Sequence, residues 1–268
     1  MTWIFLNKNN ADEYIEMFAA GSQTVPTCLE TWQYEDSNNP LVIRGIMKHK
    51  IIKRCWQDKR DFYYMDSGYL GNRPSMANPN GWKFYHRIVP NDLQHGAVVD
   101  RPADRLQRLN IRIRPRQNHC RDILIVAPDE KPCTFYGITL DQWLKTTIDT
   151  IKQHTDRPIR MRERPASRQD RKTQLPEEWL NDVHAVVTFN STAATEAILA
   201  GVPVFVTAPA ANAAQPVSNS DLSKIETPWF PDSDQVHKWA CHLAYGQFHT
   251  TELADGTAAR ILKETQHV

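Results

Sequence analysis

Residues Ala185–Thr207 read AVVTFNSTAATEAILAGVPVFVT, and the reading of this stretch decides the fold. Ala185 to Phe189 is a short β-branched and aromatic run, and Asn190-Ser191-Thr192 is a polar turn. Ala193 to Ala200 is alanine-rich and stopped by Gly201, after which Val202 to Thr207 is a second apolar run. The pattern predicts strand, tight turn, helix, strand. Two buried parallel strands joined by a helical crossover form a βαβ unit, whose sheet needs helices on both faces, so an α/β protein is expected. Ser191 or Thr192 is expected to cap the helix, and the free amides of its first turn, with the positive end of the dipole, form an anion site. Glu196 falls one position too late for a capping box, because Ala194 and Thr195 stand three residues after Ser191 and Thr192. It is either an acceptor for a ligand's hydroxyls or an exposed first-turn acid favoured by the dipole.

Outward from this unit the chain alternates strand and helix. Asp122 to Ala127 reads as a strand, Pro128 to Gly137 as a loop, and Leu140 to His154 as an amphipathic helix burying Trp143, Leu144, Thr147, Ile148 and Ile151. Pro158 to Arg164 reads as a strand with Arg160, Arg162 and Arg164 on one face. Asp232 to Gln247 and Thr250 to Lys263 read as closing helices. The first half shows the same alternation: strand Trp3 to Leu6, helix Ala11 to Ala20, strand Leu41 to Ile46, amphipathic helix Met47 to Trp56, strand Asp61 to Met65. A second Rossmann-like unit is therefore expected, with the division at 1–118 and 119–268.

Asp66 follows the last of these strands. Ligands of open parallel sheets bind beyond the carboxyl ends of the strands, which suits Asp66 as a general base; its alternative is a turn acid bonded to its own loop. Gly71 to Gly96, rich in Asn, Pro and Gly, reads as a functional loop. Arg101 to Arg121 holds seven arginines, of which Arg112, Arg114 and Arg116 share one side of an extended segment. That is either a solvated edge or a groove tracking nucleic-acid phosphates.

A net charge of +1 argues against a nucleic-acid coat protein and leaves room for a local basic groove. There is no apolar run of membrane-spanning length and no basic-then-hydrophobic leader, so no membrane partner and a cytoplasmic location are expected. The five cysteines are scattered without a C-x-x-C pair, and the ten histidines lack zinc-helix spacing. Free thiols, no metal and no cofactor are expected. No P-loop, G-x-G-x-x-G or G-x-S-x-G motif is present, which removes the usual support for ATP hydrolysis, dinucleotide redox chemistry and serine hydrolysis.

The run VVTFNSTAATEAILAGVPVFV resembles the sugar-nucleotide-binding segment of GT-B type glycosyltransferases. FYYMDSGYLGN, KFYHRIV, TDRPIRMRERP, DLSKIETP and LAYGQFHTTEL are similar to segments of small bacteriophage-encoded glycosyltransferase-like proteins, and together these cover most of both halves. The resemblance implies two facing Rossmann-like domains with a cleft between them, the acceptor side in the first and a nucleotide-sugar donor in the second. It implies that Asn190, Ser191 and Thr192 receive the donor phosphates, that Glu196 holds ribose hydroxyls, and that Arg160, Arg162 or Arg164 neutralises the leaving diphosphate. Asp66 would be the acceptor's base, with Arg87 beside it. In phages a hydroxymethylated pyrimidine in DNA is one acceptor, with Arg101 to Arg121 along its backbone (in a host cytoplasm), and a saccharide or lipid-linked intermediate is another. A nucleotide-sugar epimerase and a non-catalytic binding module share the architecture.

Overall fold

The structure, a computed structural model, describes residues 2–8, 12–71, 84–162, 177–209 and 212–265. These form two compact units, one of residues up to Leu93 and from Gly246 on, the other of Gln94–Tyr245. The division differs from the expected one at 118/119. The chain leaves the first unit earlier than the basic stretch suggests, and its end returns to that unit.

In the first unit β1 (Ile4–Asn7), β2 (Thr27–Cys28), β3 (Leu41–Arg44) and β4 (Phe62–Ser67) are parallel. β5 (Tyr85–Pro90) runs antiparallel to β4, and the C-terminal strand β10 (Gln247–His249) antiparallel to β5, giving the order β10-β5-β4-β3-β1-β2. Helices α1 (Glu13–Gly21), α2 (His49–Asp58), α8 (Thr250–Ala254) and α9 (Thr257–Thr265) belong to the same unit. Asp12 caps α1 by accepting from the Ile15 amide at 3.4 Å. α1 buries Ile15 and Phe18 in a core with Trp3, Phe5, Tyr63, Met65, Phe248 and Leu253. Each such side chain contributes about 2 kcal/mol relative to exposure. The segment from Gln247 to Leu262 is thus held by apolar burial as well as by a strand.

The second unit contains α3 (Asp104–Arg108), β6 (Asp122–Val126), α4 (Glu130–Tyr136), α5 (Leu140–Lys152), β7 (Ile159–Arg162), β8 (Val183–Thr188), α6 (Ala193–Leu199), β9 (Val204–Val206) and α7 (Ser233–Tyr245). Its sheet is all parallel, in the order β7-β6-β8-β9. β6 is buried along its whole length, as expected of a central strand covered on both faces. Trp143 and Ile151 of α5 pack on Ile123, Ile125, Val187 and Phe205. The βαβ unit around Asn190 is present as expected.

Several elements differ from the sequence expectation. β5 lies inside the stretch expected to be a loop, because buried His86 and Arg87 disguise its alternation. α4 replaces the expected loop at 128–137. Its Pro132 falls in the first turn, where a missing amide costs no intrahelical bond. The helix expected to run to Gln247 ends at Tyr245, and the one expected over 250–263 is broken at Gly256, whose φ is +86°. Among the described residues no helix is long and apolar enough to cross a membrane.

Candidate functional site

In the second unit the chain passes from β6 to β7 on one side and then returns to β8 on the other side of β6. The carboxyl ends of β6 and β8 therefore flank a topological switch point, the place where open α/β sheets accept ligands. The Thr188 hydroxyl ties the ends of these two strands together by donating to the Val126 carbonyl at 3.0 Å. Asn190, Ser191 and Thr192 follow directly.

The turn itself is capped by Ser191, whose Oγ accepts from the Ala193 amide at 3.2 Å, whereas Thr192 is already helical and makes no side-chain cap. The Ala194 amide donates to the Ser191 carbonyl at 3.1 Å and the Thr195 amide to the Thr192 carbonyl at 3.0 Å. This corrects the expected row of free first-turn amides: all three are engaged within the turn. At the other end of α6, Gly201 has φ +80°, and a Cβ there would lie 2.0 Å from the Pro115 carbonyl oxygen. The close approach lets the Arg114 and Gln117 amides satisfy the Leu199 and Gly201 carbonyls at 2.8 and 2.7 Å.

The three candidate arginines separate. Arg160 pairs with buried Asp122 at 2.9 Å and donates to the carbonyls of Trp179 and Asn181. Asp122 opens β6, so Arg160 is turned to the amino edge of the sheet and does not meet the Asn190 turn. Arg162 is in register with Val126, the last residue of β6, at the carboxyl edge. Burial pulls the Arg162 guanidinium below its usual pKa, and the charge of half-buried Glu196 acts in the opposite direction. Glu196 is thus neither a capping acid nor a fully exposed one. Arg164 lies outside the described residues.

In the first unit Asp66 is the last residue but one of β4 and stands directly opposite Arg87 of β5. Arg87, with a side chain 9% exposed, bonds the Asp66 carboxylate at 3.3 Å and donates to the carbonyls of Ser67 and Leu93 at 2.6 and 3.3 Å. Asp66 also accepts from the Tyr64 hydroxyl and the Ser67 amide, both at 2.8 Å. Burial pushes the Asp66 pKa up, but the Arg87 charge and these two donors outweigh it and hold the carboxyl below its ordinary value. Asp66 thus bonds the backbone of the residue that follows it and lies at the carboxyl edge of the sheet. Arg87 is a scaffold for that carboxylate.

The basic stretch is divided within the second unit between arginines bound to protein groups and arginines at the surface. Arg105 is buried and donates to the Ala244 carbonyl at 3.0 Å, and Arg101 lies over the Tyr245 ring. Arg108 pairs with Asp104, and Arg121 with Asp122. Arg112 and Arg116 are exposed in the non-helical segment that follows α3.

Sequence reasoning missed two groups. The first unit has its own switch point between β1 and β3, whose ends carry buried Asn7 and the Arg44–Asp12 pair at 3.1 Å, with Lys48 Nζ on the Arg44 carbonyl. Only strand order reveals it. The second group is a pair of glutamines, Gln94 and Gln247, whose local sequence carries no signal.

No protein-family model and no curated protein matches the sequence. Among solved structures the fold is similar to that of Thermosulfurimonas dismutans KpsC, beta Kdo 2,7 transferase, with a TM-score of 0.52 at 15% identity over 97% of this chain and 99% of that one. The beta Kdo 2,4 transferase of the same KpsC aligns over 90% of each chain at 10% identity with a TM-score of 0.49. At such identities the likeness is one of fold.

Proposed function

We propose that this protein is a glycosyltransferase that moves a sugar from a nucleotide-sugar donor to a hydroxyl of a saccharide acceptor. The observation that carries the reading is the position of half-buried Arg162 at the carboxyl edge, opposite the last residue of β6, with the charge of Glu196 from the helix after the Asn190 turn acting on it. A fold similar to that of a Kdo transferase is consistent with it. Transfer from a nucleotide sugar is limited by negative charge developing on the leaving phosphate, and a desolvated guanidinium stabilises that charge more than one in water. In this reading Arg162 meets the leaving phosphate, the Ser191 and Thr192 hydroxyls and the Asn190 backbone orient it, and Glu196 accepts from the ribose hydroxyls. Asp66, kept ionised by Arg87, takes the acceptor's proton; its lowered pKa makes it a weak base until bound substrate excludes water from it. The charge is handled by side chains, so the scheme uses no metal and no cofactor.

The test begins with thermal shift against a panel of UDP, GDP, CDP, TDP and CMP sugars, since a ligand of the native form alone raises its melting temperature. Release of the nucleotide is then followed with saccharide acceptors. Arg162→Met should lower turnover by roughly a hundredfold, and Asp66→Asn should lose turnover while keeping donor affinity. Donor conversion with no acceptor present would instead identify an epimerase, and donor binding without turnover a binding module. Duplex DNA binding that weakens steeply with salt would restore the nucleic-acid acceptor.

A further inference from the structure

Two buried glutamines do corresponding work in the two units. Gln94 begins the 94–245 stretch of the second unit, and Gln247 follows directly on the chain's return to the first at Gly246. They are 5% and 0% exposed. Gln94 Nε2 donates to the Asn190 carbonyl at 2.9 Å, while its Oε1 accepts from the Ala213 amide at 3.0 Å. One side chain thus joins the loop after β8 to the segment after β9, and the Trp239 indole holds the same segment by donating to the Ala213 carbonyl at 2.5 Å. Gln247 Oε1 accepts from the amides of Tyr69 and Leu70 at 2.7 and 2.8 Å, and its Nε2 donates to the Leu70 carbonyl at 2.8 Å. That fixes the loop directly after Asp66. Gly68 makes room for it, because a Cβ there would lie 2.9 Å from Gln247 Oε1.

Both positions need a group that donates and accepts at once, which the glutamine amide does at any pH and a carboxyl of the same reach does only while protonated. Loop backbone groups lack the ladder partners that strands supply, so removing the amide would leave buried donors and acceptors unpaired. We propose that Gln94 and Gln247 are positioning residues, Gln94 holding the Asn190 turn in its donor-binding shape and Gln247 holding the loop that presents Asp66. The consequence for catalysis rests on the transferase reading; the anchoring of the two loops does not. Gln94 then controls donor affinity, and Gln247 controls turnover with donor affinity unchanged.

The experiment replaces each glutamine by glutamate, its titratable copy. In Gln94→Glu the protonated carboxyl reproduces both bonds, donating to Asn190 and accepting from Ala213, and burial favours the protonated form. On ionisation the donor is lost and a negative charge faces the Asn190 carbonyl. Gln94→Glu should therefore bind the nucleotide sugar that stabilises the native protein normally at about pH 5 and roughly tenfold more weakly at about pH 8, with the native protein changing less. Gln247→Glu should show its pH dependence in kcat and none in donor affinity. In a second arm, amide hydrogen exchange follows Gln94→Leu and Gln247→Leu without ligand. Protection should fall at Ala213 in the first and at Tyr69 and Leu70 in the second. Exchange that rises evenly through a whole unit, or stays unchanged at these amides, would overturn the proposal, as would a Gln94→Glu affinity that tracks the native pH profile. If no nucleotide sugar stabilises the native protein the transferase reading fails, and the exchange arm alone decides the anchoring.

Discussion

Asp66 with Arg87, and Glu196 with Arg162, place an acid and an arginine near the carboxyl edge of each sheet, and the two arrangements differ: the first is an ion pair at 3.3 Å, the second a charge influence. Asp66 and Arg87 are direct cross-strand partners, and the guanidinium is further bonded to two backbone carbonyls. Glu196 comes from a helix and Arg162 from the end of a strand, and they act on one another beside a switch point. The contrast teaches that charge and strand position do not by themselves mark a ligand site. What surrounds a guanidinium decides its commitments: backbone carbonyls and a cross-strand carboxylate hold Arg87, whereas Arg162 stands at a strand end beside the switch point with a half-buried acid acting on it. Arg160 makes the same point within one strand, since two residues before Arg162 it is committed to Asp122.

The comparison can be broken by substitution. Arg87→Met should cost the most, about 2–3 kcal/mol in chemical denaturation, because it strands a carboxylate and two carbonyls. The figure sits at the low end for a broken pair because Asp66 keeps 37% of its side chain exposed. Arg162→Met should cost about 1 kcal/mol or less, since the apolar stem is replaced in kind and Glu196 stays within reach of water. Equal losses from the two variants would erase the distinction. The smallest effect is a pH dependence. A carboxyl held below its ordinary value adds stability that is complete above the unfolded pKa of about 4 and is lost as pH falls through the lower folded value. Asp66→Asn should therefore be less stable than the native protein at about pH 7 by roughly a few tenths of a kcal/mol, and the gap should close on acidification below about pH 4. A gap that widens on acidification would show that Arg87 does not hold Asp66 ionised.

How far the sequence could be read follows from the same physics. β6, β8, α5 and α6 were legible because their apolar residues recur with the period of the element, and the βαβ unit around Asn190 follows from them. β5 was not, since a strand carrying buried His86 and Arg87 shows no apolar alternation. β10 is three residues long and takes its pairing from β5, far away in the chain. At the site, the turn, its Ser191 cap and Glu196 were visible. The difference between Arg160 and Arg162 was not, because alternation puts both on one face and says nothing of which edge each side chain seeks.

The sequence by itself determined an α/β protein with a parallel βαβ unit, because hydrophobic periodicity and turn chemistry are local properties. Tertiary structure decided the strand order, and with it the switch points, the return of the C-terminal segment to the first unit, and the commitments of Arg87, Arg160, Gln94 and Gln247. Those depend on which polar groups meet across distant parts of the chain, and a hydrogen bond between residues far apart in sequence leaves no mark on the pattern at either end.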